Sequence, residues 1–249
     1  MFFKRTVIPE FDFSRIAIEM HNHILPGIDD GCGEVSESIE ILRLLEKIGY
    51  RKVIFTPHVL SDLYPNSPDT INAAFKLLQD AIALETTPLE LKLEVGAEYM
   101  ADHELLEQFV KVPPVLIKNK YILIEFSLFQ APPDYKDIIF ELLLKGYKPI
   151  IAHPERYGYA ADNLDFFQEL IQRGCILQLN INSILGGYGK SAFKLAKELV
   201  KLKLYKLLGS DIHEVRQAKL LCDPKIRIEL TKQLGDYPFR NKYLLSDEN

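Results

Sequence analysis

The 249 residues are 47% apolar and 26% charged, the balance of a soluble protein with one sizeable core, and no Ser/Gly-rich linker or charge block divides them, so a single domain over 1–249 is expected. A formal net charge of −5 speaks against holding a phosphate backbone, which takes clustered Lys and Arg, and excludes nucleic acid as the expected partner. Met1 to Arg5 is basic without an apolar stretch of signal-peptide length, no run approaches the roughly 20 apolar residues of a membrane span, and Cys32, Cys175 and Cys222 are too scattered for a disulfide framework, so reduced thiols in the cytoplasm are expected.

In chain order, β-rich runs fall at Ile16–Met20, Lys52–Thr56, Leu91–Ala97, Tyr121–Phe126, Pro149–Ala152, Cys175–Ile181 and Tyr205–Gly209, giving seven candidate strands. Between them the apolar period becomes helical, as in Ile41, Leu44, Leu45 and Ile48 ahead of Gly49, or Ile71, Ala74, Phe75, Leu78 and Ile82 behind Ser67 and Pro68. Strands as continuously apolar as Lys52–Phe55 belong in a parallel sheet covered by helices, and the alternation reads as βα units. Periodicity alone leaves an open doubly wound sheet and a closed barrel both standing.

The polar residues are more selective. Six of the seven runs end on potential ligands: His21 and His23, His58, Glu98, Glu125, His153, and Asp211 with His213. Five of the six histidines lie at these ends, while His103 reads as a solvated helix residue. A lone strand-end histidine is more often a hydrogen-bonded structural residue than a ligand. In a βα barrel, however, the carboxyl ends of the strands converge on one mouth. Imidazoles and carboxylates collected there would be left repelling or unsatisfied unless cations shared them, so a metal cluster is expected. Nitrogen and oxygen donors without thiolate suit manganese, zinc or iron better than magnesium or calcium.

The segments Met20–Gly31, Thr56–His58, Gly96–Glu98, Ile124–Phe126, His153–Tyr157 and Ser210–His213, in that order, resemble the polymerase and histidinol phosphatase (PHP) superfamily, and more narrowly its bacterial CpsB/CapC-type metal-dependent protein-tyrosine phosphatases. The resemblance implies an α/β fold, a distorted seven-stranded (β/α)7 TIM-like barrel. It implies three divalent ions, manganese first with iron or zinc as alternatives: His21, His23 and Asp211 on one, Glu98 bridging to a second held also by Glu125 and His153, and Asp30, His58 and His213 on the third. The catalytic set it implies is Asp30, His58, His213 and the phosphate-binding Arg156, whose planar fork suits two phosphate oxygens. Four carboxylates against three divalent ions leave a surplus of about two positive charges to attract a phosphate dianion. The implied substrate is a phosphotyrosine protein, the tail of a tyrosine kinase of polysaccharide export, and the implied role is control of capsule or exopolysaccharide synthesis. The loops after His58 and His213 depart from the family pattern; Arg216 stands there either as a second phosphate ligand or as a solvated arginine.

Other chemistries find less support. No cysteine has arginine six positions onward, which excludes the cysteine-dependent phosphatase mechanism, and Gly186–Ser191 lacks the first glycine of a P-loop and reads as a turn opening a helix. A small-molecule phosphatase such as histidinol-phosphatase, a metal-dependent amidohydrolase and a silent phosphotyrosine-binding module remain as alternatives.

Overall fold

A computed structural model describes residues 8–246; Met1 to Arg5, on which the expectation of no leader rested, lies outside the described residues. The described chain forms strands β1 (Ile18–Glu19), β2 (Lys52–Phe55), β3 (His58–Val59), β4 (Lys92–Val95), β5 (Glu98–Met100), β6 (Tyr121–Glu125), β7 (Lys148–Ile151), β8 (Ile176–Asn180) and β9 (Tyr205–Gly209). The helices are α1 (Val35–Ile48), α2 (Pro68–Ala83), α3 (Leu105–Lys111), α4 (Tyr135–Leu144), α5 (Leu164–Gln172), α6 (Ile181–Ile184), α7 (Gly189–Lys201), α8 (Val215–Cys222), α9 (Pro224–Leu234) and α10 (Asn241–Leu245). Helix boundaries follow local chemistry. Glu34 and Glu37 form a capping box at the start of α1, and Gly49, at φ 116°, ends it in the left-handed conformation. Ser67 and Thr70 cap α2 reciprocally, with Pro68 in its first turn.

All seven expected runs contain strand, and every strand pair is parallel. The ladders do not close into one ring of seven. They form a three-stranded sheet, β1-β2-β4, and a six-stranded sheet, β3-β5-β6-β7-β8-β9. Two expected runs, Lys52–Thr56 and Leu91–Ala97, end at a break beyond which a short strand not expected from the sequence begins: Thr56 and Pro57 separate β2 from β3, and Gly96 and Ala97 separate β4 from β5. Pro57 has no N–H to give a ladder. A Cβ on Gly96 would sit 2.6 Å from Ile117, so the chain bends where only glycine fits.

Strand residues alternate between two apolar clusters. Tyr121, Leu123, Ile150 and Leu207 join a small one built mainly from strands, while Ile122, Ile124, Ile151 and Leu208 join a large one shared with the helices. Side chains and short backbone contacts join β1 to β9. At the carboxyl ends Asp211 N donates to His21 O at 2.7 Å and His23 N to Ile212 O at 2.8 Å. Further down, Glu19 Oε1 accepts from Ser210 N at 3.2 Å. Lower still, the buried Asn241 amide of α10 donates to Ile18 O (3.0 Å) and Leu208 O (2.7 Å) and accepts from Leu208 N (3.0 Å), a side chain doing the work of a missing ladder rung.

Removing that amide leaves three buried backbone groups unpaired, so Asn241→Ala is expected to lose about 3 kcal/mol in urea unfolding. An unchanged midpoint would show that α10 does not tie β1 to β9.

Candidate metal centre

Just past β1, His21 and His23, two residues apart, face the same side, each with Nε2 within 3.4 Å of Glu98 Oε2 and Asp211 Oδ1. The chain then returns through a tight loop in which Cys32 N donates to His23 O at 3.1 Å, bringing Asp29 and Asp30 back beside the histidines. Gly31 makes this possible, because a Cβ there would lie 1.8 Å from His23 O, a backbone atom that cannot move aside. Two residues of the mouth sit in the left-handed region, His153 at φ 32° and Asp211 at φ 55°. Such backbone costs about 1–3 kcal/mol per residue and persists only where neighbours hold it. Here Gln178 Oε1 accepts from His153 N at 3.2 Å, and Asp211 N is held by His21 O.

All nine expected ligands come together. Four groups with ligand atoms within 4.8 Å of one another contain them: His21, His23 and Asp211; His23, Asp30, His58 and His213; His21, Glu98 and His153; and His58, Glu98 and Glu125. Glu98 lies at the centre, fully buried. Its Oε2 is 3.2 Å from His21 Nε2, 3.4 Å from His23 Nε2 and 3.2 Å from His58 Nδ1, and its Oε1 is 3.2 Å from His153 Nε2. Asp30 Oδ1 lies 3.6 Å from His58 Nε2 and 3.5 Å from His213 Nε2 on the more exposed side.

Orienting contacts come from residues that sequence reasoning missed. Asp29 Oδ2 meets His23 Nδ1 at 2.8 Å, and Gln178 Oε1 meets His21 Nδ1 at 2.8 Å, which turns the opposite ring nitrogen of each histidine toward the cluster. Asn180 Nδ2 donates to Asp211 Oδ2 at 2.7 Å, and Tyr188 Oη donates to the same oxygen at 3.1 Å. A signal for Gln178 and Asn180 was present: they are two residues apart in the one run that ends on no expected ligand, polar positions on one face of an otherwise apolar strand. Tyr188 and Asp29 carried no comparable mark.

Electrostatically the groups compete for protons. Burial opposes charge on His21, yet Glu98 and Asp211 beside it hold its pKa up at about 9. Burial also dominates at His153, reinforced by Arg156, and pushes it down to about 4 despite Glu98. Glu125 is raised well above the usual carboxylate range by burial and by Glu98 and Asp211. His21 Nε2, His23 Nε2, His153 Nδ1 and both oxygens of Glu98 are buried without a hydrogen-bond partner, although charged neighbours lie close. Lone pairs crowded at 3.2–3.4 Å without hydrogen-bond geometry fit donors that share cations. The donor set of imidazole and carboxylate without thiolate fits a borderline divalent metal.

One side of the cluster opens to a cleft of about 470 Å³ that Asp30, His58, Glu125, His153, Arg156 and His213 help to line. Arg156 Nη1 donates to Asp211 Oδ2 at 3.2 Å, and its guanidinium lies 4.2 Å from the centre of the Tyr188 ring, which fixes the plane of the fork. Glu155, next to it, is buried where Asn180 N and Tyr205 Oη donate to its carboxyl, and burial raises it to about 7. Arg216 is 87% exposed in its side chain, pairs with Glu214 at 2.8 Å and does not line the cleft. His103 is exposed as expected, but in the turn before α3 rather than in a helix.

The chain matches the family described as capsular polysaccharide synthesis, CpsB/CapC, over residues 17–235. It is 34% identical over 219 residues to tyrosine-protein phosphatase YwqE of Bacillus subtilis (strain 168), covering 88% of this chain and 85% of that one. It is 27% identical over 204 residues to tyrosine-protein phosphatase CpsB of Streptococcus agalactiae, covering 80% and 83%. A crystal structure from work on YwqE of Bacillus subtilis and CpsB of Streptococcus pneumoniae, described as unique metal-dependent tyrosine phosphatases, superposes with a TM-score of 0.78 at 30% identity, covering 92% of this chain and 90% of that one.

Because protons held in the cluster must leave as ions bind, divalent-metal affinity measured by calorimetry is expected to rise from about pH 6 to about pH 8. Gly31→Ala is expected to cut bound metal, measured by elemental analysis, to well under half of the wild-type content, although Gly31 contributes no donor side chain. Full metal content in that variant would break the link between the tight loop and the cluster.

Proposed function

The chain belongs to the CpsB/CapC family, and from that premise we propose that it is a metal-dependent protein-tyrosine phosphatase whose substrate is the phosphorylated tail of a tyrosine kinase of capsule or exopolysaccharide synthesis. The observation that carries the reading is the convergence of nine imidazole and carboxylate side chains in one cluster that opens, beside Arg156, to a cleft. His21, His23 and Asp211 would hold one ion, Glu98, Glu125 and His153 a second, and Asp30, His58 and His213 a third, with manganese first among the candidates and iron or zinc next. Bound ions would supply charge neutralisation for the phosphate and an activated water at neutral pH.

The protein's own part is positioning. Arg156 offers two parallel N–H donors to the phosphate, and the Tyr188 ring beneath and Asp211 beside it hold the fork toward the cleft. Asp30, His58 and His213 are partly exposed while His21, His23, Glu98, His153 and Asp211 are buried, so substrate would approach the side formed by the first three. On the same reading the nine strands are seven staves, two of them interrupted, of a distorted barrel in a single domain, a view supported by the parallel bridge between Asn22 and Ile212. No described helix is long and apolar enough to cross a membrane, and the three cysteines are free, features in keeping with action in the cytoplasm.

Chelator-stripped protein is expected to release phosphate from p-nitrophenyl phosphate and a phosphotyrosine peptide only after Mn²⁺ is restored, and to act more slowly on histidinol phosphate. Preference for histidinol phosphate would redirect the substrate, and silence on all three would overturn the phosphatase reading. Arg156→Ala is expected to lower kcat/KM on the order of 100-fold with metal content unchanged.

A further inference from the structure

Phe126, Phe129 and Tyr188 line the cleft and Tyr64 lies beside it against His58, and all but one of these rings are engaged by a neighbour. Tyr64 stacks on His58 with 5.6 Å between ring centres, Tyr188 carries the Arg156 guanidinium, and Phe126 is buried against Tyr157 at 5.6 Å. Phe129 differs. It lines the same cleft, is 91% exposed, and has no ring partner among the described residues.

A solitary exposed phenylalanine says little, since much of any protein surface is apolar. Its mounting and its place say more. Phe129 lies four residues beyond Glu125, and the root of its loop is held firmly: Phe126 is fully buried, and its N–H donates to Tyr157 Oη at 2.9 Å. At the tip, Phe129 N donates to Ser127 Oγ at 3.3 Å, and the neighbouring Leu128 is also exposed into the cleft. An anchored loop thus holds an unpaired aromatic face over a cleft whose floor is charged and phosphate-seeking.

Resting on the phosphatase reading, we propose that Phe129 recognises the aryl group of the substrate, stacking on the ring of a phosphotyrosine held at its phosphate by Arg156 and the imidazole–carboxylate cluster. An alkyl phosphate bound through the same phosphate contacts offers no ring and leaves Phe129 in water. The side chain therefore selects phosphotyrosine over phosphoserine through a contact made alike in ground and transition states, which sets KM rather than kcat.

The test compares metal-loaded wild type, Phe129→Ala and Phe129→Trp on a phosphotyrosine peptide and the same peptide carrying phosphoserine, with calorimetric titration of phenylphosphonate and methylphosphonate in parallel. Phe129→Ala is expected to lose about 10-fold in kcat/KM on phosphotyrosine, through KM, while its phosphoserine rate and methylphosphonate affinity stay at wild-type values and Phe129→Trp restores the preference. Equal losses on both peptides, or no loss on either, would overturn the assignment. If wild type turns over neither peptide, the phosphatase reading fails and the phosphonates decide alone: a phenyl preference abolished by Phe129→Ala supports the aryl contact, and a preference absent in wild type or unchanged in the variant overturns it.

Discussion

A fully buried carboxylate ringed by four imidazoles is the constraint on which the rest of this protein depends. Burial by itself pushes the Glu98 carboxyl up, but His21 and the surrounding imidazoles hold it well below the usual range. An ionised carboxylate without such partners would be too costly to bury. The partners are expensive in their turn, because several imidazoles within a few ångströms cannot all be protonated. The arrangement is stable only as a shared set of charges, and divalent ions share charge among such donors better than protons do.

Much of the local backbone is explained by the need to bring those donors to one place. His153 and Asp211 adopt left-handed conformations that the strand ends alone would not choose, and Gly209 allows β9 to come close, since a Cβ there would lie 2.7 Å from both His21 Cβ and Gln178 Nε2. The breaks at Pro57 and Gly96 divide the ladders, yet His58 and Glu98 resume as register partners directly beyond them in β3 and β5. Strain, tight approach and interrupted pairing collect at the mouth, where the nine imidazole and carboxylate side chains meet, while the lower ends of the strands carry the apolar clusters and the Asn241 splint.

The site is asymmetric. Its inner half is oriented by Asp29, Gln178 and Asn180, whose hydrogen bonds settle which face His23, His21 and Asp211 present to the cluster. Its outer half meets a cleft with Arg156 at one wall and an apolar loop at another, so phosphate charge and the group it esterifies meet different chemistries. Tyr188 links the halves, bonding Asp211 through its hydroxyl while its ring carries the arginine.

By itself the sequence determined the parallel βα plan and which His, Asp and Glu side chains meet at the mouth, because apolar runs ending on such residues carry the same meaning wherever parallel strands share a mouth. It also carried the helix ends, written locally in Ser67, Pro68 and Gly49. The tertiary structure alone decided how the strands pair, since whether Thr56-Pro57 or Gly96-Ala97 interrupts a ladder depends on what lies across it. It alone separated Asp29, which orients His23, from Asp30, which faces His58 and His213, because adjacent carboxylates differ only in the direction the loop gives them. And it alone put Phe129 at the cleft and Arg216 away from it, for exposure and reach belong to the folded surface and leave no period in the chain.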